Sequence, residues 1–363
     1  MIKSIKIKHT ITLLAIVIGI NTHGQDKERG FNLGFVYPLS IQGIHSKEYT
    51  NVFSLHALLG ISRGERAFTV AGFGNMVIED AHGFQVAGFY NMIGGNATGF
   101  KAAGFMNSYR DAIGFQAAGF ANFSKGNIRG MQGAGFMNIA RGTEGFQAAG
   151  FMNKADSLHG VQAAGFINIA EDVDGAQVAG YINIARNVKG VQVSGFINIA
   201  DSSEYPIAPI NIIRNGEMYL GVTTDDNLST ILTFRSGSKK LYGIVGAGYN
   251  FKNDNEVIVV QYGMGANFFT RENFRLKTEG TITHMYGQGR GNVSKTSVSA
   301  LPTLRLGHNV EIFGGPSLNF AVTTSEYESD MVDHYLWRHT SYRNGYTLHG
   351  MYVGYMAGIH VKL

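Results

Sequence analysis

Gly-Val-Gln-Ala-Ala-Gly-Phe-Ile-Asn, at Gly160–Asn168, decides the fold, because the same nine-residue phrase occurs nine times between Ala67 and Ala200. Another copy reads Gly-Phe-Gln-Val-Ala-Gly-Phe-Tyr-Asn at Gly83–Asn91. The central glycines are Gly72, Gly88, Gly104, Gly119, Gly135, Gly150, Gly165, Gly180 and Gly195, spaced 15 or 16 residues apart. A fixed short period means one structural unit stacked or paired against copies of itself. Such arrays build surfaces and walls more often than active sites.

The candidate structural residues are those glycines from Gly88 onward and the asparagine three places later: Asn91, Asn107, Asn122, Asn138, Asn153, Asn168, Asn183 and Asn198. In the Gly160 copy, Gln162, Ala164, Phe166 and Asn168 are nearly invariant among copies. Val161, Ala163, Ile167 and Ile169 stand at positions that change identity yet stay apolar. In a strand these two sets face opposite ways. Charges avoid the phrase, Lys101 and Lys154 excepted, and gather in the connectors, such as Glu171-Asp172 and Arg186 to Lys189. A face that varies freely but stays apolar is what lipid requires, and strands of about 9–11 residues suit a membrane barrel.

Two arrangements satisfy the repeat. The phrase is nearly palindromic about Gly165, so an antiparallel meander pairs Gln162 with Asn183 across a hairpin. This reading predicts an all-β antiparallel meander closing into an outer-membrane β-barrel. The alternative is a β-solenoid of 15–16-residue repeats followed by a smaller C-terminal barrel. It stacks Gln162 on Gln177 and builds Asn, Gln and Phe columns. Against the solenoid, its coil must turn corners within an eleven-residue run, and its apolar outer face meets water. Against the meander, identical symmetric hairpins give no stagger, and barrel closure requires stagger.

The composition agrees with strands: of 363 residues, 49 are Gly and 5 are Pro, and only 15% are charged. Residues 1–24 read as a signal peptide, with Lys3, Lys6 and Lys8 before an apolar run from Thr10 to Ile20. Its cleavage near Gly24 takes the formal charge from +4 to +1, which removes any case for nucleic acid. The absence of Cys excludes disulfides. The expected organisation is entry strands at 25–65, the repeat region at 66–214 and barrel-like strands at 215–363. In the last run, Met351, Val353, Tyr355, Ile359 and Val361 share one face, and Gly354, Gly358, His360 and Lys362 share the other. The first face is expected to meet lipid, and an acid at His360 to be mild.

Chemistry-bearing patterns are sparse. Asp330, Asp333, His334 and His339 lack metal-ligand spacing and read as a solvated loop. Gly243, Gly246 and Gly248 open no helix, so they read as a small-residue strand rather than a phosphate loop. No catalytic, cofactor-binding or metal residue is nominated, and no enzyme activity is expected. The asparagine array reads as structural rather than as a sugar or ion site.

The phrase Gly-x-Gln-x-Ala-Gly-Phe-x-Asn resembles a bacterial surface-repeat family of exported Gram-negative proteins, over about residues 66–214. The region from Gly216 resembles the C-terminal part of outer-membrane β-barrel proteins, although this chain ends in Leu363 rather than an aromatic residue. The resemblance implies an envelope location and no activity. The expected function is a pore, transport accessory or surface scaffold. The alternative is a surface-exposed solenoid for adhesion or binding, anchored by a C-terminal barrel. The expected partners are outer-membrane lipid and the barrel-assembly machinery.

Overall fold

The computed structural model describes residues 27–252, 257–287, 291–307, 309–324, 334–342 and 346–363. The expected signal peptide lies outside the described residues. From Lys27 to Ile213 the chain winds into a β-solenoid of about 11 turns, a single 23-stranded sheet whose coils pair in parallel. From Glu217 to Lys362 it forms a separate antiparallel barrel.

The repeats therefore take the solenoid arrangement, not the meander. Gln162 lies beside Gln177 and Asn168 beside Asn183, so equal positions stack. Two devices turn the corners. Gly160 has φ +135° and kinks the strand Ser157–Ala164, a conformation that an L side chain rarely adopts. Gly165 and Phe166 then form a bend before Ile167–Ile169. At Gly165 a Cβ would stand 2.1 Å from the Gly150 carbonyl oxygen, and the same clash recurs at each central glycine. These corners interrupt simple alternation. Gln162 and Asn168 point inward, whereas Phe166 points outward at 39% exposure, so the invariant set does not share one face.

The array begins before the recognisable repeat. Lys27–Val36 and Tyr49–Ser62 pair in parallel as its first rungs, with Phe31 beside Phe53. Leu39–Ser40 folds back antiparallel on Gly34 and Val36 and covers that end of the free edge. At the other end the barrel covers the last coil. Asn211 donates from its backbone N to Ser236 Oγ at 3.0 Å, and Ser238 Oγ donates to the Glu204 carbonyl at 3.1 Å. Gly243 permits this approach, since a Cβ there would meet the Ala208 and Pro209 carbonyl oxygens at 2.2 and 2.3 Å.

The barrel has eight strands: Glu217–Asp225, Ser229–Gly237, Leu241–Asn250, Val257–Phe268, Phe274–Gly287, Gly291–Leu306, Val310–Thr323 and Thr347–Lys362. The ring closes through the first and last strands, with Tyr219 opposite Lys362 and Thr224 opposite Ala357. A short strand, Trp337–Ser341, extends one hairpin beyond the ring. In the last strand Val353, Tyr355, Ile359 and Val361 face outward, as their alternation predicts. His360 faces inward but is 1% exposed and bonded to Glu311, so the expectation that an acid is mild there is corrected.

Candidate functional site

Three surfaces carry the chemistry of this fold: the solenoid interior, the solenoid exterior and the barrel lumen. The interior is polar. Asn75 Nδ2 donates to Asn91 Oδ1 at 2.8 Å, and the row continues coil by coil to Asn198, which donates to Asn211 at 2.9 Å. Each amide in the middle of the row also bonds a backbone carbonyl, as Asn91 does with Ala102 and Asn168 with Val178. A second row runs through Gln132, Gln147, Gln162, Gln177 and Gln192, with contacts of 2.7–3.0 Å. Both rows are 0–1% exposed. The repeat asparagines named from sequence are thus inside and satisfied, and they offer nothing to a ligand.

Lys101 interrupts the glutamine row. It is fully buried and donates to the Gly83 and Thr98 carbonyls at 2.9 and 2.7 Å. Burial pushes its amine down to about 8. On either side, the Gln85 and Gln116 amides have no hydrogen-bond partner. Near the first coils, Glu65 is also buried, holding Ser54 Oγ at 2.8 Å, and burial raises its carboxyl above the usual range. Of the two groups, the sequence marks only Lys101. Lys101 was visible as the one charge replacing Gln in the phrase, while Glu65 lay ahead of the repeat pattern.

The exterior is apolar over a continuous arc. Phenylalanines following the central glycines stack along the solenoid: Phe73, Phe89, Phe105, Phe120, Phe136, Phe151 and Phe166, continued by Tyr181 and Phe196. Their ring centroids are 4.7–5.1 Å apart. A second column runs through Phe53, Phe68, Phe84, Phe100 and Phe115. Between the two columns lies a trough of Ala and Gly residues. Across the glycine kink from the second column, the strand starts and connectors carry exposed ion pairs, such as Arg129 with Glu144 and Arg186 with Asp172.

The barrel lumen is filled with ion pairs. Arg235 grips Glu279 through two contacts of 2.9 and 3.0 Å, and Tyr242 OH donates to the same carboxylate at 2.8 Å. Glu311 accepts from Lys277 at 2.7 Å and pairs with Arg275 at 3.0 Å. Lys295 pairs with Asp225 farther along. The cavity bounded by Glu217, Tyr219, Arg235 and Arg275 has a volume of about 10 Å³, room for about one water.

Among the described residues, no group of three or more His, Asp or Glu side chains is placed to hold a metal ion. His334 and His339 are exposed, and Asp330 and Asp333 lie outside the described residues. No helix among the described residues is long and apolar enough to cross a membrane. No known family model, curated protein or solved structure matches the chain.

Proposed function

We propose that this chain is a non-enzymatic outer-membrane protein in which the barrel is the anchor and the solenoid is an elongated binding module. The observation that carries the proposal is the two-sided barrel. Its outward residues, among them Leu220, Val260, Leu318, Val353 and Tyr355, are apolar and exposed, while Arg235, Lys277, Glu279 and Glu311 are paired inside. A closed ring leaves no unpaired strand edge, which is what a hydrocarbon environment demands of a β-structure. The resemblance of the repeat to a family of exported Gram-negative proteins supports an envelope location. The packed lumen favours an anchor over a pore.

The orientation follows from the turns. The solenoid joins the barrel at the end bearing the turns 238–240, 269–273 and 307–309. Thr323 and Thr347, the strand ends that residues 324–346 connect, lie at the opposite end. Bacterial barrels keep short turns in the periplasm and long loops outside. By this rule the solenoid sits on the inner side of the membrane rather than on the cell surface.

Two measurements test the proposal. The envelope protein should resist carbonate extraction and should migrate differently on gels before and after boiling. Protease added to intact cells should cut within 324–346 and spare the solenoid, which becomes accessible only after the outer membrane is permeabilised. Carbonate release would remove the anchor, and digestion of the solenoid on intact cells would reverse the orientation.

A further inference from the structure

We propose that the aromatic flank of the solenoid is a self-association surface, by which two copies pair side by side. This inference rests on the reading of the barrel as a membrane anchor. The flank has a ridge, a trough and a second ridge. One ridge is the column Phe84, Phe100 and Phe115, and the other is Phe105, Phe120, Phe136 and Phe151. The floor is built from Ala102, Ala117, Gly133, Ala148 and Ala163, in open troughs of about 410 and 460 Å³. At Gly133 a Cβ would meet nothing within 4 Å, so the floor there is open to solvent.

The size of this flank fits a second copy. Coils stacked at about 4.8 Å give a length of about 50 Å, and five residues of strand give a width of about 16 Å. The area is on the order of 800 Å², the share that one partner contributes to a standard stable interface. An isolated patch of this size exceeds what a monomer usually exposes. Its shape is self-complementary: the Phe136 ridge of one copy can seat in the trough of the other, and the same contact repeats across a two-fold axis.

Charge and register point the same way. From Gly83 to Phe196 the ridge and trough positions carry no charged residue, so the flank offers nothing to an acidic or basic partner. A face built of identical rungs cannot define its own register, because a slip of one coil places like on like. The barrels supply what the face lacks. Two anchors in one membrane stand at equal height, so the solenoids align coil for coil and in parallel. An antiparallel pair would put the barrels at opposite ends, which one membrane cannot accommodate.

Cross-linking in isolated envelopes tests this directly, since the chain has no native Cys. Full-length Phe136→Cys treated with a short bismaleimide should give a covalent two-chain species. Glu171→Cys, exposed in a connector, should give none. Co-expressed Phe89→Cys and Phe151→Cys chains should form no mixed pair, because four coils separate them by about 20 Å. Adding Phe120→Lys and Phe151→Lys to Phe136→Cys should reduce the two-chain yield about tenfold or more, because charges would be buried without partners. A photo-reactive phenylalanine at position 136 that labels only lipid or another protein would overturn the proposal, as would a lack of cross-linking at Phe136→Cys. A mixed Phe89–Phe151 pair would overturn the parallel register. The same samples run unheated and boiled separate the two readings. A retained mobility shift without cross-linking overturns pairing alone. A lost shift in the unsubstituted chain overturns the anchor, and with it the argument for register.

Discussion

Lys101 is the residue at which the repeat departs most from its own rule, and the departure has a measurable cost. Its amine titrates near 8 in the fold, against 10.5 for the free side chain. A lysine whose folded value is depressed opposes folding wherever the unfolded chain binds the proton more tightly. The penalty is therefore full below about pH 8 and fades as pH rises toward 10.5. Lys101→Gln removes the penalty and gives the Gln85 and Gln116 amides a partner. We predict a stabilisation of about 1–3 kcal/mol at neutral pH. It should appear as a Tm several degrees higher than that of the natural chain, with the gap narrowing between pH 8 and 10.5. An unchanged Tm at pH 7 would show that Lys101 is already solvated. The substitution was legible in the sequence, but its burial was not. Whether Gln162 and its equivalents point inward depends on the kink at Gly160, which residue identity alone does not reveal.

At the scale of single elements, the last strand was the most legible and the repeat strand the least. Thr347–Lys362 has two environments, and its alternation records both. Only the content of the inner one was hidden, because Lys277 and Glu311, which meet His360, lie 83 and 49 residues earlier in the chain. The repeat strand was ambiguous because a near-palindrome pairs equally well with its neighbour reversed or stacked. The corner at Gly165 and Phe166 settles the matter by turning Phe166 outward. Val353 provides the test of the outer face. It is 62% exposed, lies opposite Leu318 and stands near the middle of its strand. Val353→Lys should cost roughly 2–4 kcal/mol if that height is the bilayer midplane. The fraction of chain showing the heat-dependent gel shift should fall sharply. Tyr342→Lys, beyond the ring, should leave it unchanged. Equal tolerance of the two would remove this strand from the lipid.

The molecule as a whole joins two ways of satisfying a sheet, one open-ended and one closed. Each solenoid coil touches mainly its neighbours, so stability accumulates along the axis and whole coils are interchangeable. Deleting Ser157–Glu171 removes one complete coil and brings Asp156 against Asp172, which occupies the position equivalent to Ser157. We predict a folded protein with a nearly unchanged thermal transition and an intact barrel shift. Deleting 157–163 removes half a coil, exposes inward amides and should abolish cooperative unfolding. If both deletions behave alike by circular dichroism, the coils are not independent units. The sequence announced this modularity through its period. It did not announce the junction, because Asn211, Ser236 and Gly243 meet only once and leave no repeating trace.

The two amide rows inside the solenoid point in opposite directions. Asparagine Nδ2 groups donate toward the barrel, from Asn75 to Asn211, while glutamine Nε2 groups donate away from it, from Gln192 back to Gln132 and then to Tyr109. Where both rows run, from Gln132 to Gln192, their dipoles oppose one another, so coils added there build no axial field. Each row also ends on one unsatisfied oxygen, at Asn75 and at Gln192. That end penalty, about 1–3 kcal/mol for each orphaned atom, is the same for three coils as for eleven. A duplicated coil from the stretch that carries both rows therefore adds hydrogen bonds without adding defects, whereas one bearing Gln85 or Gln116 would add orphaned amides. Natural selection can change the height of this protein in steps of about 4.8 Å while leaving its electrical character untouched.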